Sequence, residues 1–232
     1  MTEPALAARN PRVAAAVRLH RADERARTGL TILEGPKLLA EAISTRVNVV
    51  EVFSLEEGEG TLVSHAALDR LSSTRTPQSP VAIIEIPDRP LSPGRSVLVA
   101  WDISDPGNLG TMIRTAAAFG LDVMTTAGSA DVWSPKVLRA AAGAHFRTGL
   151  APIDFSDFES VAAVMAGGND LSGLPSGPIA VLIGSEAHGL PPDVVASAGH
   201  RVSIPMPGGT ESLNAATAAA ILCYEVTRRN PG

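Results

Sequence analysis

The chain has 232 residues, enough for one large domain or two modest ones with a sizeable core. Its 45% hydrophobic and 19% charged residues exclude a disordered chain, and its apolar runs are too short to span a bilayer. A single cysteine, Cys223, excludes a disulfide framework, five scattered histidines offer no zinc spacing, and a net charge of −5 argues against nonspecific nucleic-acid binding. The N-terminal stretch "MTEPALAARNPRVAAAV" lacks the apolar core of a signal peptide, so a cytoplasmic protein with no membrane segment is expected.

The charge is uneven along the chain. Residues 1–30 hold Arg9, Arg12, Arg18, Arg21, Arg25 and Arg27 against Glu3, Asp23 and Glu24, a balance of +3 that leaves the remainder at −8. Such a cluster is either a solvated helix face or the footprint of a nucleic-acid partner. In chain order, the spacing predicts a helix over 11–27 and a strand over 31–34. A helix opened by Gly35-Pro36 then runs to 43, followed by a strand over 47–53, a helix over 65–71 and a strand over 81–86. The stretch "PDRPLSPGR" at 87–95 is the best linker candidate and divides the chain into 1–90 and 91–232.

Beyond the linker, strands are predicted at 96–101, 122–126, 179–184 and 201–204, and helices at 109–119, 135–142, 155–166 and 213–228. This alternation predicts a parallel sheet covered on both faces. Residues 166–178, "AGGNDLSGLPSGP", read as a flexible loop.

Three polar junctions follow predicted strands. In the first, Asp105-Pro106-Gly107-Asn108 separates an apolar strand from a helix, with Asn108 placed to cap it and Arg114 a charge among small and apolar neighbours. In open α/β sheets, ligands bind at such strand ends. In the second, a strand ends at Gly184 and Ser185-Glu186 and Gly189 follow, before Pro191-Pro192 starts a short helix. Its small residues admit a ligand to the backbone, and Glu186 places a carboxylate there, which a helix N-terminus would also favour. In the third, Ile204 is followed by a Pro-Met-Pro-Gly-Gly loop, and Ser212-Leu213-Asn214 opens an Ala-rich helix. Ser212 reads as its N-cap, with Asn214 just inside. None of the three is a P-loop or a dinucleotide fingerprint.

Together these junctions resemble the three motifs of the SpoU (TrmH-like) branch of the SPOUT RNA methyltransferases. The first is Asp105-Pro106-Gly107-Asn108-Leu109-Gly110 with Arg114, Ala116 and Gly120. The second is Gly184-Ser185-Glu186 with Gly189-Leu190, and the third Ile204-Pro205-Met206 with Ser212-Leu213-Asn214. Ser134-Pro135-Lys136 and Ala142-Gly143-Ala144 also fit, and "LTILEGPKLLAEA" and "LSSTRTPQSPVAIIE" resemble the substrate-binding domain of members acting on ribosomal RNA. Ala187 and Ala141 depart from the pattern, where Gly and Ser are common. Neither departure removes a reactive group.

The resemblance implies an α/β fold: a C-terminal, trefoil-knotted parallel-sheet catalytic domain, 91–232, preceded by a smaller α/β RNA-binding domain, 1–90. It implies a homodimer that uses S-adenosylmethionine, and no metal, to methylate a ribose 2′-hydroxyl of RNA. Ribosomal RNA is favoured over tRNA. It places Asn108, Arg114, Glu186, Ser212 and Asn214 around the reacting centre and Gly184, Ile204, Leu213, Met206 and Gly189 around the methyl donor. A non-catalytic RNA-binding protein on the same scaffold is the alternative from another class.

Overall fold

The computed structural model of the protein describes residues 4–229. Glu3, counted in the N-terminal charge balance, lies outside them. The chain divides into two compact units, Met1–Asp88 with Asp131–Phe146, and Arg89–Ala130 with Arg147–Gly232. The first boundary falls inside the proline-rich stretch. The excursion of 131–146 into the first unit was not expected from the sequence.

The chain begins with α1 (Pro11–Arg18) and α2 (Ala22–Thr28) where one helix over 11–27 was predicted. The break has a polar cause. The Leu19 carbonyl accepts from the buried Arg25 guanidinium at 2.7 Å, and the His20 ring bonds the Leu71 carbonyl at 2.9 Å. Next come β1 (Leu30–Glu34), α3 (Pro36–Ser44), β2 (Val49–Ser54), β3 (Thr61–Leu62), α4 (His65–Leu71) and β4 (Val81–Glu85).

The four strands form one sheet in the order β1-β4-β2-β3, antiparallel except for β2 with β3. Strand alternation sorts its side chains to two faces. Ile32, Phe53, Val81 and Ile83 pack with Val13 and Ala16 of α1 and with Ala67, Leu68 and Leu71 of α4. On the opposite side, Leu33, Ala82 and Ile84 pack with Leu38 and Ala42 of α3.

The chain continues through β5 (Val97–Ala100), α5 (Pro106–Phe119) and β6 (Asp122–Thr125), then returns to the first unit as α6 (Pro135–Ala140). Leu138 and Phe146 of this return complete the α3 face of the first core. Asp131 pairs with Arg25. Burial pushes the His145 imidazole down to about 4, so it is neutral and donates from Nε2 to the Val132 carbonyl at 2.6 Å.

The second unit is completed by β7 (Leu150–Pro152), β8 (Glu159–Ala163), β9 (Ile179–Ile183), α7 (Pro192–Ser197), β10 (His200–Val202) and α8 (Ala215–Arg229). Its six strands are all parallel, in the order β10-β8-β9-β5-β6-β7. Central strands β5 and β9 are buried along their whole length, as a sheet covered on both faces requires.

Residues 159–163 are strand where a helix over 155–166 was predicted. Phe155, Phe158, Val161, Ala162 and Val164 satisfy a helical spacing as well as a buried strand does, and pairing with β9 and β10 decides the matter. The second half of the expected linker is docked. Arg89 accepts from the Leu150 amide at 2.8 Å, and buried Asp122 accepts from the Ser92 and Gly149 amides.

Candidate active site

The turn after β5 makes Asp105, not Asn108, the cap of α5. Asp105 Oδ1 accepts from the Asn108 amide at 2.8 Å, and Pro106 occupies the first helical position, where its missing N–H costs nothing. Asn108 therefore stands in the first turn with its side chain not committed to the cap. At α8 the expectation is corrected in the other direction. Asn214, not Ser212, is the cap, its Oδ1 accepting from the Ala216 and Thr217 amides at 3.0 and 3.2 Å.

Capping fixes the orientation of the Asn214 amide. With Oδ1 turned to the helix, Nδ2 donates to Asn108 Oδ1 at 3.0 Å and to Glu186 Oε1 at 2.7 Å. Asn108, its own oxygen used, donates from Nδ2 to the same Glu186 Oε1 at 2.7 Å. The Ala215 amide adds a further bond to that oxygen at 3.3 Å. One carboxylate oxygen thus gathers two side-chain amides and the first backbone N–H of α8. The helices α5 and α8 run parallel, since Asn108 meets Asn214 at one end and the Phe119 carbonyl accepts from Thr227 Oγ1 at 2.8 Å at the other. Both positive helix ends therefore face Glu186.

Beside this network lies a cleft at the carboxyl ends of β8, β9 and β10. Gly184, Gly189, Ile204, Met206 and Leu213 all line it, as do Glu186 and Ser212. The loop after β9 doubles back on itself, with the Gly189 amide donating to the Ser185 carbonyl at 2.8 Å. A Cβ on Gly184 would lie 2.1 Å from the Gly189 carbonyl carbon and 2.3 Å from the Leu190 nitrogen, so only glycine fits. The lining joins exposed loop backbone with the apolar side chains of Ile204, Met206 and Leu213. That combination suits a flat heterocycle and a flexible polar tail such as S-adenosylmethionine carries.

Arg114 stands apart. It is exposed on α5, six residues or roughly 9 Å of helix rise beyond Asn108, and lines no part of the cleft. Among the described residues it makes no hydrogen bond or ion pair. Two further lining residues were not singled out from the sequence. Met165, just after β8, is 72% exposed at the cleft, and it was hidden by the expected helix there. His188 lines both this cleft and an adjoining recess that also includes Asp102 and Asp105. Its signal was its place in the second junction, between Glu186 and Gly189. Burial pushes the Cys223 thiol up to about 12, which removes it as a nucleophile at neutral pH. Among the described residues, no group of three His, Cys, Asp or Glu could hold a metal ion, and no helix is long and apolar enough to cross a membrane.

Residues 95–224 match the model of the SpoU rRNA Methylase family. The 23S rRNA (guanosine(2553)-2′-O)-methyltransferase RlmP of Bacillus subtilis is 32% identical over 94% of this chain and 97% of its own length. A TrmH-family putative RNA methyltransferase from Porphyromonas gingivalis superposes with a TM-score of 0.81 at 30% identity, covering 94% of this chain and 97% of that one. The AdoMet-bound rRNA methyltransferase from Sinorhizobium meliloti gives 0.83 at 28% identity, covering 94% and 95%.

Proposed function

The chain belongs to the SpoU rRNA methylase family, and on that premise we propose that it is an S-adenosylmethionine-dependent methyltransferase acting on a ribose 2′-hydroxyl of ribosomal RNA. The observation that carries the reading is the meeting of a glycine-floored, apolar-walled cleft with the Asn108–Glu186–Asn214 network on its edge.

When bound, the donor supplies a methyl group already activated by its sulfonium. The protein's work is then to orient an in-line attack and to exclude water. Gly184, Gly189, Ile204, Met206 and Leu213 hold the donor. Glu186 is held rigidly by both asparagines, so the loop that carries it keeps one shape. Ser212 sits on the cleft wall and is able to bond the incoming ribose or phosphate. Arg114 belongs to this reading as the group that grips the target phosphate or hydroxyl and stabilises developing alkoxide charge. A charged guanidinium has no acceptor, so the proton leaves through a phosphate or water.

We extend the proposal to the finer architecture. The chain is a homodimer whose exposed α5 and α8 faces, bearing Arg114 and Tyr224, meet a second copy and its RNA. The loops around 184–189 and 204–213 form the trefoil knot. The first unit binds the RNA, and the protein works in the cytoplasm. The segment after β8 lies close against the end of β10: the Gly168 amide donates to Ser203 Oγ, the Asn169 backbone bonds that of Arg201 and Ser203, and a Cβ on Gly168 would lie 2.5 Å from the Val202 carbonyl carbon.

Transfer of tritiated methyl from S-adenosylmethionine to unmodified 23S rRNA, with tRNA as the second substrate, tests the proposal. Label on a ribose of 23S rRNA is the expected result. Label only on tRNA would move the substrate. RNA binding without transfer would leave a non-catalytic RNA-binding protein.

A further inference from the structure

The N-terminal arginines are the obvious candidates for holding RNA, and the structure spends most of them elsewhere. Arg12 pairs with Glu51, Arg18 and Arg27 share Glu24, Arg21 pairs with Asp23, and Arg25 is buried against Asp131. Four carboxylates answer five guanidiniums. At the distance of a phosphate such pairs present dipoles rather than net charge.

A different part of the same unit carries uncompensated charge. Its hub is Glu34, buried at the end of β1. One Glu34 oxygen accepts from Ser72 Oγ, from Thr74 Oγ1 at 2.7 Å and from the Gln78 amide at 3.3 Å. The Thr74 amide bonds Ser72 Oγ at 2.9 Å. The backbone is therefore tied down on both sides of Arg75, whose side chain is exposed. The other Glu34 oxygen lies 3.5 Å from the Arg139 guanidinium, which donates to Ser73 Oγ at 2.6 Å and so brings α6 to the same loop. Lys136 is one turn back from Arg139, and Lys37 follows Gly35, against which Gln78 packs. These are the only two lysines in the chain, and both are exposed. Lys37, Arg75 and Lys136 make no ion pair or hydrogen bond among the described residues. Glu41, one turn along α3, packs against Gly143 at the far end of the α6 segment.

We propose that the rim of the Glu34-pinned loop, with Lys37, Arg75 and Lys136, is the surface by which the first unit holds the phosphate backbone of its RNA substrate, in place of the N-terminal arginine cluster. This rests on the RNA-methyltransferase reading above. Three cations on a pinned scaffold meet phosphates at little ordering cost, since the backbone that carries them is already fixed. Arg139 is the positioning residue, because it holds α6 to the loop.

The test uses the full chain and a transcript of unmodified 23S rRNA, with affinity measured across a salt series. One variant carries Lys37→Gln, Arg75→Gln and Lys136→Gln. The control removes the same charge as Arg12→Gln, Arg21→Gln and Arg27→Gln. Loss of three phosphate contacts lowers the slope of log affinity against log salt by roughly 2 to 3. That drop is expected in the first variant alone, with S-adenosylmethionine binding unchanged in both as the check on folding. A drop in the control alone, in both or in neither overturns the proposal. The unsubstituted protein's methyl transfer to the same transcript is read in parallel, so failure of the enzymatic reading shows there, separately from failure of the patch.

Discussion

At the scale of single residues, the site rests on side chains that each satisfy two demands. Asn214 caps a helix with its oxygen and thereby aims its nitrogen at Glu186. Asp would cap as well. It would also set a second carboxylate against Glu186, so the choice of Asn reflects the network rather than the helix. Arg114 is the opposite case, an exposed charge with no hydrogen-bond or ion-pair partner among the described residues. That isolation sharpens the prediction for Arg114→Lys. Lysine keeps the charge but loses the planar fork that grips an oxyanion from two sides. Turnover under saturating donor is expected to fall by roughly a hundredfold or more, about 3 kcal/mol of transition-state stabilisation. Donor affinity and melting temperature are expected to stay put, since no ion pair is broken and the cleft is lined by other residues. Single-turnover kinetics decide the point. A lysine variant with near-normal turnover removes Arg114 from the reacting centre.

At the scale of elements, the proposed donor cleft depends on how closely two stretches of backbone approach. The end of β9 and the returning segment at Gly189 and Leu190 touch at Gly184, and the atoms facing its missing side chain are main chain. Main chain cannot swing aside as a flexible side chain can. Gly184→Ala is therefore expected to push the loop outward, at a cost of about 1–3 kcal/mol in stability. Donor affinity should weaken by at least tenfold, because Ser185–Gly189 forms one wall of the cleft. Calorimetric titration with S-adenosylmethionine beside a thermal melt measures both, and unchanged donor affinity would refute the account. The same elements show what was legible in the sequence. Strong local patterns were read well, as at His65–Leu71, where a serine cap and apolar spacing agree. Gly184, Gly189, Ile204, Met206 and Leu213 came from the family resemblance, and the structure brings all five to one cleft because each lies at a strand end or in the loop that follows it. Caps were misplaced by a few residues, since Asp, Asn and Ser compete for the same role and only geometry selects among them. Strands β3 and β7, two and three residues long, carry no periodicity to read. Strand β8 carried the wrong one, and with it Met165 was missed.

For the whole molecule, the feature least legible in the sequence is that the chain enters the first unit twice. Nothing in the local pattern of 131–146 says which sheet it covers; that depends on contacts more than fifty residues away. Those contacts are substantial. Leu138 and Phe146 are fully buried against Leu33, Leu38, Ala82 and Ile84, Arg25 reaches Asp131, and Thr31 Oγ1 donates to the Trp133 carbonyl at 2.8 Å. Each large apolar side chain so buried stabilises by about 1.5–3 kcal/mol. A chain cut simply at Leu91 would therefore keep 131–146 while losing Leu33, Leu38, Ala82 and Ile84, on which it packs. We expect its amides over 135–146 to exchange rapidly with solvent and the protein to self-associate as concentration rises. A second chain, also starting at Leu91 but with 131–146 replaced by a Gly-Ser linker of equal length, should stay dispersed. It should bind S-adenosylmethionine, whose cleft is lined wholly from the second unit, and lose affinity for RNA. Hydrogen exchange and light scattering on the two chains separate the cases. Full protection of 135–146 in the simple truncation would show that this segment is held by the second unit instead, and would redraw the boundary between them.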